Sequence, residues 1–156
     1  PNGKVRLSFP PYVSQSRALG FLEQNIDWVV AAQKRYAERA IAPTLSKVEI
    51  EALRKEAKAI LPNRVAELAA KHSLHYGRIT IRATRSKWGS CSATGNISLS
   101  LYLMQLPEHL RDYVIIHELC HTVHHNHSSR FHALVNQLTM GQEKALAREL
   151  RNYTIA

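Results

Sequence analysis

The stretch "DYVIIHELCHTVHHNH" (112–127) decides what the chain folds around. Its first part is apolar on most sides of a helix, a pattern typical of a helix buried in the core. Within it, "HELCH" (117–121) fits H-E-x-x-H. His117 and His121 would lie one helical turn apart and about 40° apart around the axis. Two imidazoles in that arrangement can reach one zinc ion, so the stretch predicts a metal site on a buried helix.

A catalytic zinc site needs a third protein ligand and leaves one position for water. His125 would lie about 12 Å along the helix from His117, and His124 meets nearly the same objection. The third ligand must therefore follow a turn of the chain. His127 gives H-E-x-x-H-x-x-x-x-x-H, the metzincin spacing, although that pattern has Gly where this chain has His124. The alternatives that the spacing leaves open are His132, Glu143 and Glu149.

Glu118 would project about 100° around the helix from His117, beside the stripe that faces the metal. There it is placed to take a proton from a zinc-bound water as a general base. The pattern therefore favours a zinc-dependent hydrolase of peptide bonds, with one zinc per chain. Cys120, on the other side of the stripe, is interpreted as packing. The partner for the developing oxyanion stays open among Arg85, His124, His132 and Tyr153.

The remaining chain predicts helices on both sides of a small sheet. Helical spacing of apolar residues predicts helices at 16–40, 47–72, from Pro107 through the motif, at 129–138 and at 142–153. Pro62 is expected to kink or split the second helix.

Between the helices, apolar and polar residues alternate at 78–84 and at 97–104. These two strands are expected to pair antiparallel, with "SKWGSCS" (86–92) in their connection or at the sheet edge. The class is α+β.

Length and composition suggest one domain spanning all 156 residues. The missing initiator Met predicts that part of the native N-terminus precedes Pro1. No apolar run approaches the roughly 20 residues of a membrane span, and no signal peptide is recognisable. Two separate cysteines, Cys91 and Cys120, suit a reducing compartment, so a cytoplasmic location is predicted.

The net charge of +9 favours anionic partners, nucleic acid among them. The basic residues are spread along the chain without a basic tail, so a solvated surface is the competing interpretation. The predicted partners are a peptide or protein substrate and, as a second hypothesis, nucleic acid.

Several motifs together resemble the YgjP-like metal-dependent hydrolases, which are related in site design to the SprT-like proteases. They are "KWGSCS" (87–92), "GNISLSLYL" (95–103), "DYVIIHELCH" (112–121) and "NHSSRF" (126–131). The resemblance implies a zincin-like fold, zinc on His117, His121 and His127, and Glu118 as the base. It also implies a strand near the site that pairs with an extended substrate.

The chain departs from the family pattern at a few positions, none of them a proposed ligand. Lys87 stands where Arg is common, His132 where Trp is common, and Leu101 and Tyr102 replace a Trp-Arg pair. These differences leave the substrate preference open. Gly89 is interpreted as permitting a bulge or a close approach of backbone to the metal site.

Overall fold

Six α-helices and three β-strands follow one another in residues 5–41 and 45–155, which the computed structural model describes. The helices are α1 (Gln15–Gln24), α2 (Ile26–Ile41), α3 (Lys47–Lys71), α4 (Glu108–Cys120), α5 (Ser129–Leu138) and α6 (Glu143–Leu150). The strands are β1 (Ile79–Arg82), β2 (Gly89–Cys91) and β3 (Ile97–Ser100). The predicted α+β class is confirmed. The chain forms two compact units, residues 1–44 and 45–156, and whether 1–156 is one domain stays a prediction.

The first unit contains two helices where the periodicity predicted one over 16–40. Ser14 caps the first of them, because its hydroxyl accepts from the backbone N–H of Arg17. The break falls at Asn25, whose side-chain Nδ2 donates to the carbonyl of Phe21 at 2.8 Å. An asparagine that bonds to nearby backbone competes with the helical pattern, so the helix ends there and a new one begins at Ile26.

Helix α3 is one continuous helix, so the prediction that Pro62 splits it is wrong. Its start is fixed by a capping box in which Ser46 and Glu49 bond reciprocally to each other's backbone. Buried residues at helical spacing on both sides of the proline, among them Leu61 and Val65, hold the two halves against the core. Packing of that face outweighs the backbone hydrogen bond that proline cannot make.

The three-stranded sheet has the order β1-β3-β2. β1 and β3 pair parallel, so the expected antiparallel pairing of these two strands is wrong. The antiparallel neighbour of β3 is β2, from the stretch 86–92 that was expected at the edge. The connection 92–96 is short enough to close that hairpin, and Gly95 supplies its positive φ of 75°. β1 is thereby left to pair with the other side of β3.

β3 is shorter than the strand predicted over 97–104. It ends at Ser100, and a 3₁₀ helix follows over Leu101–Gln105. The Ser100 hydroxyl donates to the carbonyl of Thr84 at 2.7 Å and accepts from the N–H of Tyr102. Consecutive residues of the 3₁₀ helix, rather than alternate ones, are buried. An apolar run of this kind is ambiguous between strand and helix by periodicity alone.

The motif helix forms as predicted and lies in the hydrophobic core of residues 45–155. Eight of the thirteen residues of α4 are buried. Asp112 on α4 accepts from both Nε (2.8 Å) and Nη2 (2.5 Å) of Arg64 on α3, a two-point bond that fixes the two helices side by side. Among the residues that the structure describes, no helix has the length and apolar character needed to cross a bilayer.

Candidate metal centre

Two histidines are presented by the end of α4. His117 lies in its last turn and His121 caps it, with the N–H of His121 bonded to the carbonyl of His117 at 3.3 Å. The helical relation between positions 117 and 121 is therefore kept to the end of the helix. Their ring centroids are 4.9 Å apart, so both imidazoles lie on one side of α4 as the spacing predicted.

A third histidine arrives after the chain turns back. The residues between α4 and α5 form turns and bends, and Ser128 caps α5 by accepting from the N–H of Phe131. His127, immediately before that cap, places its Nε2 at 3.2 Å from Nε2 of His117. Ligand atoms of His117, His121 and His127 all lie within 4.8 Å of one another. Asn126 lies in a bend of this connection and does not take a left-handed conformation.

The orientation of His121 is set by the main chain of His124. Nδ1 of His121 lies 3.0 Å from the carbonyl oxygen of His124, and an imidazole must donate its proton in such a bond. Nε2 of His121 is therefore the unprotonated nitrogen and is free to bind a metal. Fixing the tautomer of a ligand histidine in this way is a common feature of metal sites. This is a role for position 124 that the sequence did not reveal, because it belongs to the backbone.

Phe131 is a residue of the site that sequence reasoning missed. It is fully buried, and its ring stacks on His121 with centroids 4.3 Å apart and planes at 22°. The same ring makes edge-to-face contacts with His117 and His127, whose ring centroids lie 4.9 Å and 4.8 Å from its own. The only signal in the sequence is an apolar residue four positions after His127, in the first turn of a helix.

Burial affects the protonation of the cluster. Burial first, and then the neighbouring histidines, lowers the pKa of His117 to about 4. Burial also lowers the pKa of His121. Both rings are therefore neutral at neutral pH, the form in which imidazole binds a metal ion.

Glu118 lies beneath the sheet, on α4 between the two histidines. It is 6% exposed, and its Oε2 is buried without a hydrogen-bond partner among the described residues. Burial raises the pKa of Glu118 to about 7, and the charge of Lys87 acts in the opposite direction. An unpartnered buried carboxylate oxygen costs roughly 1–3 kcal/mol. Such exceptions call for a functional explanation.

The predicted close approach of Gly89 is confirmed. A Cβ atom built on Gly89 would lie 2.7 Å from both Cγ and Oε1 of Glu118. Cys91, also on β2, is near enough for the Glu118 charge to add to the effect of burial in raising its pKa. Burial raises the pKa of the Cys120 thiol to about 12. Both cysteines are free. Cys120 lies in the core, as its interpretation as a packing residue predicted, and Cys91 packs against the core.

The alternative third ligands have partners of their own. Nδ1 of His132 lies 2.5 Å from Oε1 of Glu143, and Glu149 pairs with Nε2 of His109 at 2.8 Å. Of the residues proposed for the oxyanion, Arg85 bonds to the hydroxyl of Tyr102 at 3.2 Å. The structure does not single out one of the four oxyanion candidates.

The three-histidine cluster fits a tetrahedral metal ion. Two nitrogens that each bind such an ion at about 2.0–2.1 Å lie roughly 3.3–3.4 Å apart. The Nε2 atoms of His117 and His127 are 3.2 Å apart, close to that separation. The neutral imidazoles of His117 and His121 and the fixed tautomer of His121 suit the same interpretation. Glu118, the residue after His117, has an unpartnered carboxylate oxygen within the described parts of the chain.

Comparison with known proteins agrees with this geometry. A family model described as "YgjP-like, metallopeptidase domain" matches residues 42–153. The chain belongs to the YgjP-like metallopeptidase family. The resemblance inferred from the motifs is thereby confirmed, and the matched region of this YgjP-like chain closely follows the second compact unit, residues 45–156.

Two solved structures resemble the fold of the YgjP-like chain. The metallopeptidase zymogen of Pyrococcus abyssi abylysin has 22% identity and a TM-score of 0.52, over 60% of this chain and 94% of that one. The metallopeptidase zymogen of Methanocaldococcus jannaschii jannalysin has 23% identity and a TM-score of 0.51, over 58% and 93%. No curated protein matches the chain. None of these findings supports a nucleic-acid partner or a cytoplasmic location, which stay predictions.

Proposed function

We propose that this chain is a zinc-dependent peptidase in which His117, His121 and His127 hold the metal and Glu118 is the general base. The observation that carries the proposal is the convergence of three histidine nitrogens within 4.8 Å beside a buried glutamate. Three neutral nitrogen ligands with a fourth position open are typical of catalytic zinc. Membership of a metallopeptidase family supports the reaction class.

The chain's own residues supply the acid and base chemistry. When bound, zinc would polarise the peptide carbonyl and make a water molecule acidic enough to react near neutral pH. Glu118 would accept the proton of that water and pass it to the leaving amine. Its Oε2 is buried and has no hydrogen-bond partner among the described residues, so no protein donor competes for this oxygen there. The fully buried Phe131, whose ring contacts all three histidines, would shield the inner side of the cluster from water.

The substrate would bind as an extended chain along the sheet. β2 is an edge strand in the order β1-β3-β2, and its Gly89 contacts Glu118. An edge strand offers unpaired backbone groups to a peptide in β conformation. A peptide paired with β2 would run past the carboxylate, which supports a peptide or protein as the substrate class.

Metal analysis of histidine variants tests the ligand set. The wild type is expected to bind about one zinc per chain and to cleave a denatured protein until a chelator removes the metal. His127→Ala removes one ligand and is expected to weaken zinc affinity by at least about 100-fold and to abolish cleavage. The matched control is His125→Ala, which removes a neighbouring exposed histidine that is not one of the three histidines of the cluster. Equal zinc affinity in His127→Ala and His125→Ala would contradict the proposed ligands.

A second candidate function, contact with nucleic acid, is favoured by a groove of about 420 Å³ on the sheet. Thr80, Ser98 and Ser90 lie side by side across its three strands, and Arg82 and Lys87 also line it. The described lining residues include no acidic side chain. Under this hypothesis the peptidase would act on proteins bound to DNA, as suggested by the likeness to SprT-like proteases.

Binding to duplex and single-stranded DNA at several salt concentrations tests this candidate. Affinity is expected to fall as salt rises, since neutralised phosphates release counterions. Arg82→Ala is expected to reduce the slope of log affinity against log salt by about 1. Arg54→Ala is the control and should leave the slope unchanged, because Arg54 lies on α3 outside the groove and is paired with Glu51. Absence of binding at low salt removes the hypothesis.

A further inference from the structure

The backbone of β2 lies directly on the side chain of Glu118. The three atoms nearest to a Cβ built on Gly89 all belong to Glu118: Cγ at 2.7 Å, Oε1 at 2.7 Å and Cδ at 2.9 Å. Real Cβ atoms essentially never come this close to another heavy atom. Gly89 is not one of the described glycines with positive φ. Glycine is therefore required at this position because a side chain would not fit, and not because the backbone needs a positive φ.

Packing, and not a hydrogen bond to Oε2, limits where the Glu118 carboxylate can lie. Oε2 has no partner within the described parts of the chain, and the residue is 6% exposed. Charge-assisted hydrogen bonds would normally hold a buried carboxylate in one orientation. Where they are missing, the surfaces that touch the group decide its position, and β2 is such a surface.

We propose that Gly89 is the positioning residue for the Glu118 carboxylate: its bare backbone lets the carboxylate lie against β2, in an orientation that leaves Oε2 without a hydrogen-bond partner among the described residues. The proposal rests on the proposed role of Glu118 as the base. A methyl group at position 89 would push the side chain of Glu118 away by rotation about its own bonds, because its flexible atoms are the first it meets. The metal ligands would be left in place, since they lie on α4 and beyond and Gly89 meets none of them first.

The first experiment separates proton transfer from metal binding in Gly89→Ala. A displacement of about 1 Å can reduce a rate about 100-fold, so kcat is expected to fall to that extent. KM and the zinc dissociation constant are expected to stay within about twofold of wild type. An unchanged kcat would overturn the proposal. So would a loss of zinc affinity as large as the loss of kcat, because Gly89 would then support the whole site.

The chain offers a matched control in Gly77. A Cβ there, two residues before β1, would lie 2.5 Å from Oδ1 of Asn96, a clash of similar severity with another side chain. Gly77→Ala therefore introduces a comparable steric clash at a position where the side chain it meets is Asn96 and not Glu118. It is expected to keep kcat within about twofold of wild type while its melting temperature falls. An equal loss of kcat in Gly77→Ala would show that any disturbance of the sheet is sufficient, which would overturn the proposal.

A thermal-stability cycle tests the contact itself and needs no activity. In the zinc-loaded protein, Gly89→Ala is expected to lower the melting temperature measurably, because Glu118 must leave its place. In a Glu118→Ala background the obstacle is gone, so the same substitution should have almost no effect. Equal shifts in both backgrounds would mean that Gly89 meets something other than Glu118, and the proposal would fail.

The two experiments distinguish failure of this proposal from failure of the proposed function. If the zinc-loaded wild type has no peptidase activity, the proposed function fails, whatever the cycle shows. If the wild type is active and Gly89→Ala keeps its kcat, the peptidase assignment stands and the positioning role is lost. Both the proposed function and the positioning role are supported if Gly89→Ala lowers kcat selectively and lowers the melting temperature only when Glu118 is present.

Discussion

At the scale of single residues, the ring of Phe131 contacts all three histidines of the cluster. Its ring lies within 4.9 Å of the ring centroids of His117, His121 and His127. Aromatic pairs at such distances contribute free energy beyond the area that they bury. The ring therefore helps to fix the relative positions of the three proposed ligands, and for a metal ion bound there it would reduce the ordering required on binding.

Replacing this ring should weaken metal binding more than it weakens the fold. Phe131→Leu keeps the core apolar but removes the flat surface on which His121 stacks. Zinc affinity is expected to fall by about 10-fold, the lower end of the effect of residues that orient metal ligands. The measurement is a competition titration with a chromophoric chelator.

The control for Phe131→Leu is Val135→Ala, one turn further along α5 and equally buried. It also reduces core volume, but no ring contact joins it to the histidines. Its melting temperature should drop by a similar amount or more, with zinc affinity within about twofold of wild type. Similar zinc affinity in both variants would show that core packing in general, rather than the Phe131 ring, supports the site.

Single residues of the site differ in how far the sequence predicts their positions. The period of the α-helix places His117, Glu118 and His121 correctly, because local geometry alone decides where they point. His127 was predicted as the third ligand because that ligand has to come after the chain turns back. The contact of Glu118 with Gly89 and the bond to the carbonyl of His124 depend on the tertiary arrangement, which leaves only weak signals in the sequence.

At the scale of elements, helices were easier to predict than strand partners. The bounds of α5 are those predicted, because Ser128 caps it and its apolar face has a clear period. The strands β1 and β3 were also located, yet their pairing was not. Alternation reports which face of a strand is buried and says nothing about its neighbour. The neighbour is set by the short turn at 92–96, which assigns β2 to β3.

The continuity of α3 and the division at Asn25 show tertiary and local effects acting in opposite directions. Pro62 is a strong helix breaker, but buried residues on both sides keep α3 whole. Asn25 is a weaker signal, but its side chain bonds to the backbone of Phe21, and the helix ends. A ranking of residues by helix propensity predicts neither outcome.

At the scale of the whole molecule, the candidate site needs only a short part of the chain. All three proposed ligands and Glu118 come from α4, the turn after it and the residue before the cap of α5. α3 and the sheet form the surroundings, with Arg64 bonded to Asp112 on one side and Gly89 against Glu118 on the other. These elements lie in residues 45–156, where the family match also falls.

The central claim is that Glu118 transfers the proton while the histidines hold the metal, and Glu118→Gln tests it most directly. Glutamine has nearly the same shape but no basic carboxylate. The variant is expected to retain about one zinc per chain and to lose peptidase activity by about 10²–10⁴-fold, the usual contribution of a general base. Glu51→Gln, an exposed glutamate on α3, is the matched control and should keep full activity. A Glu118→Gln protein that binds zinc and cleaves peptides at the wild-type rate would contradict the account.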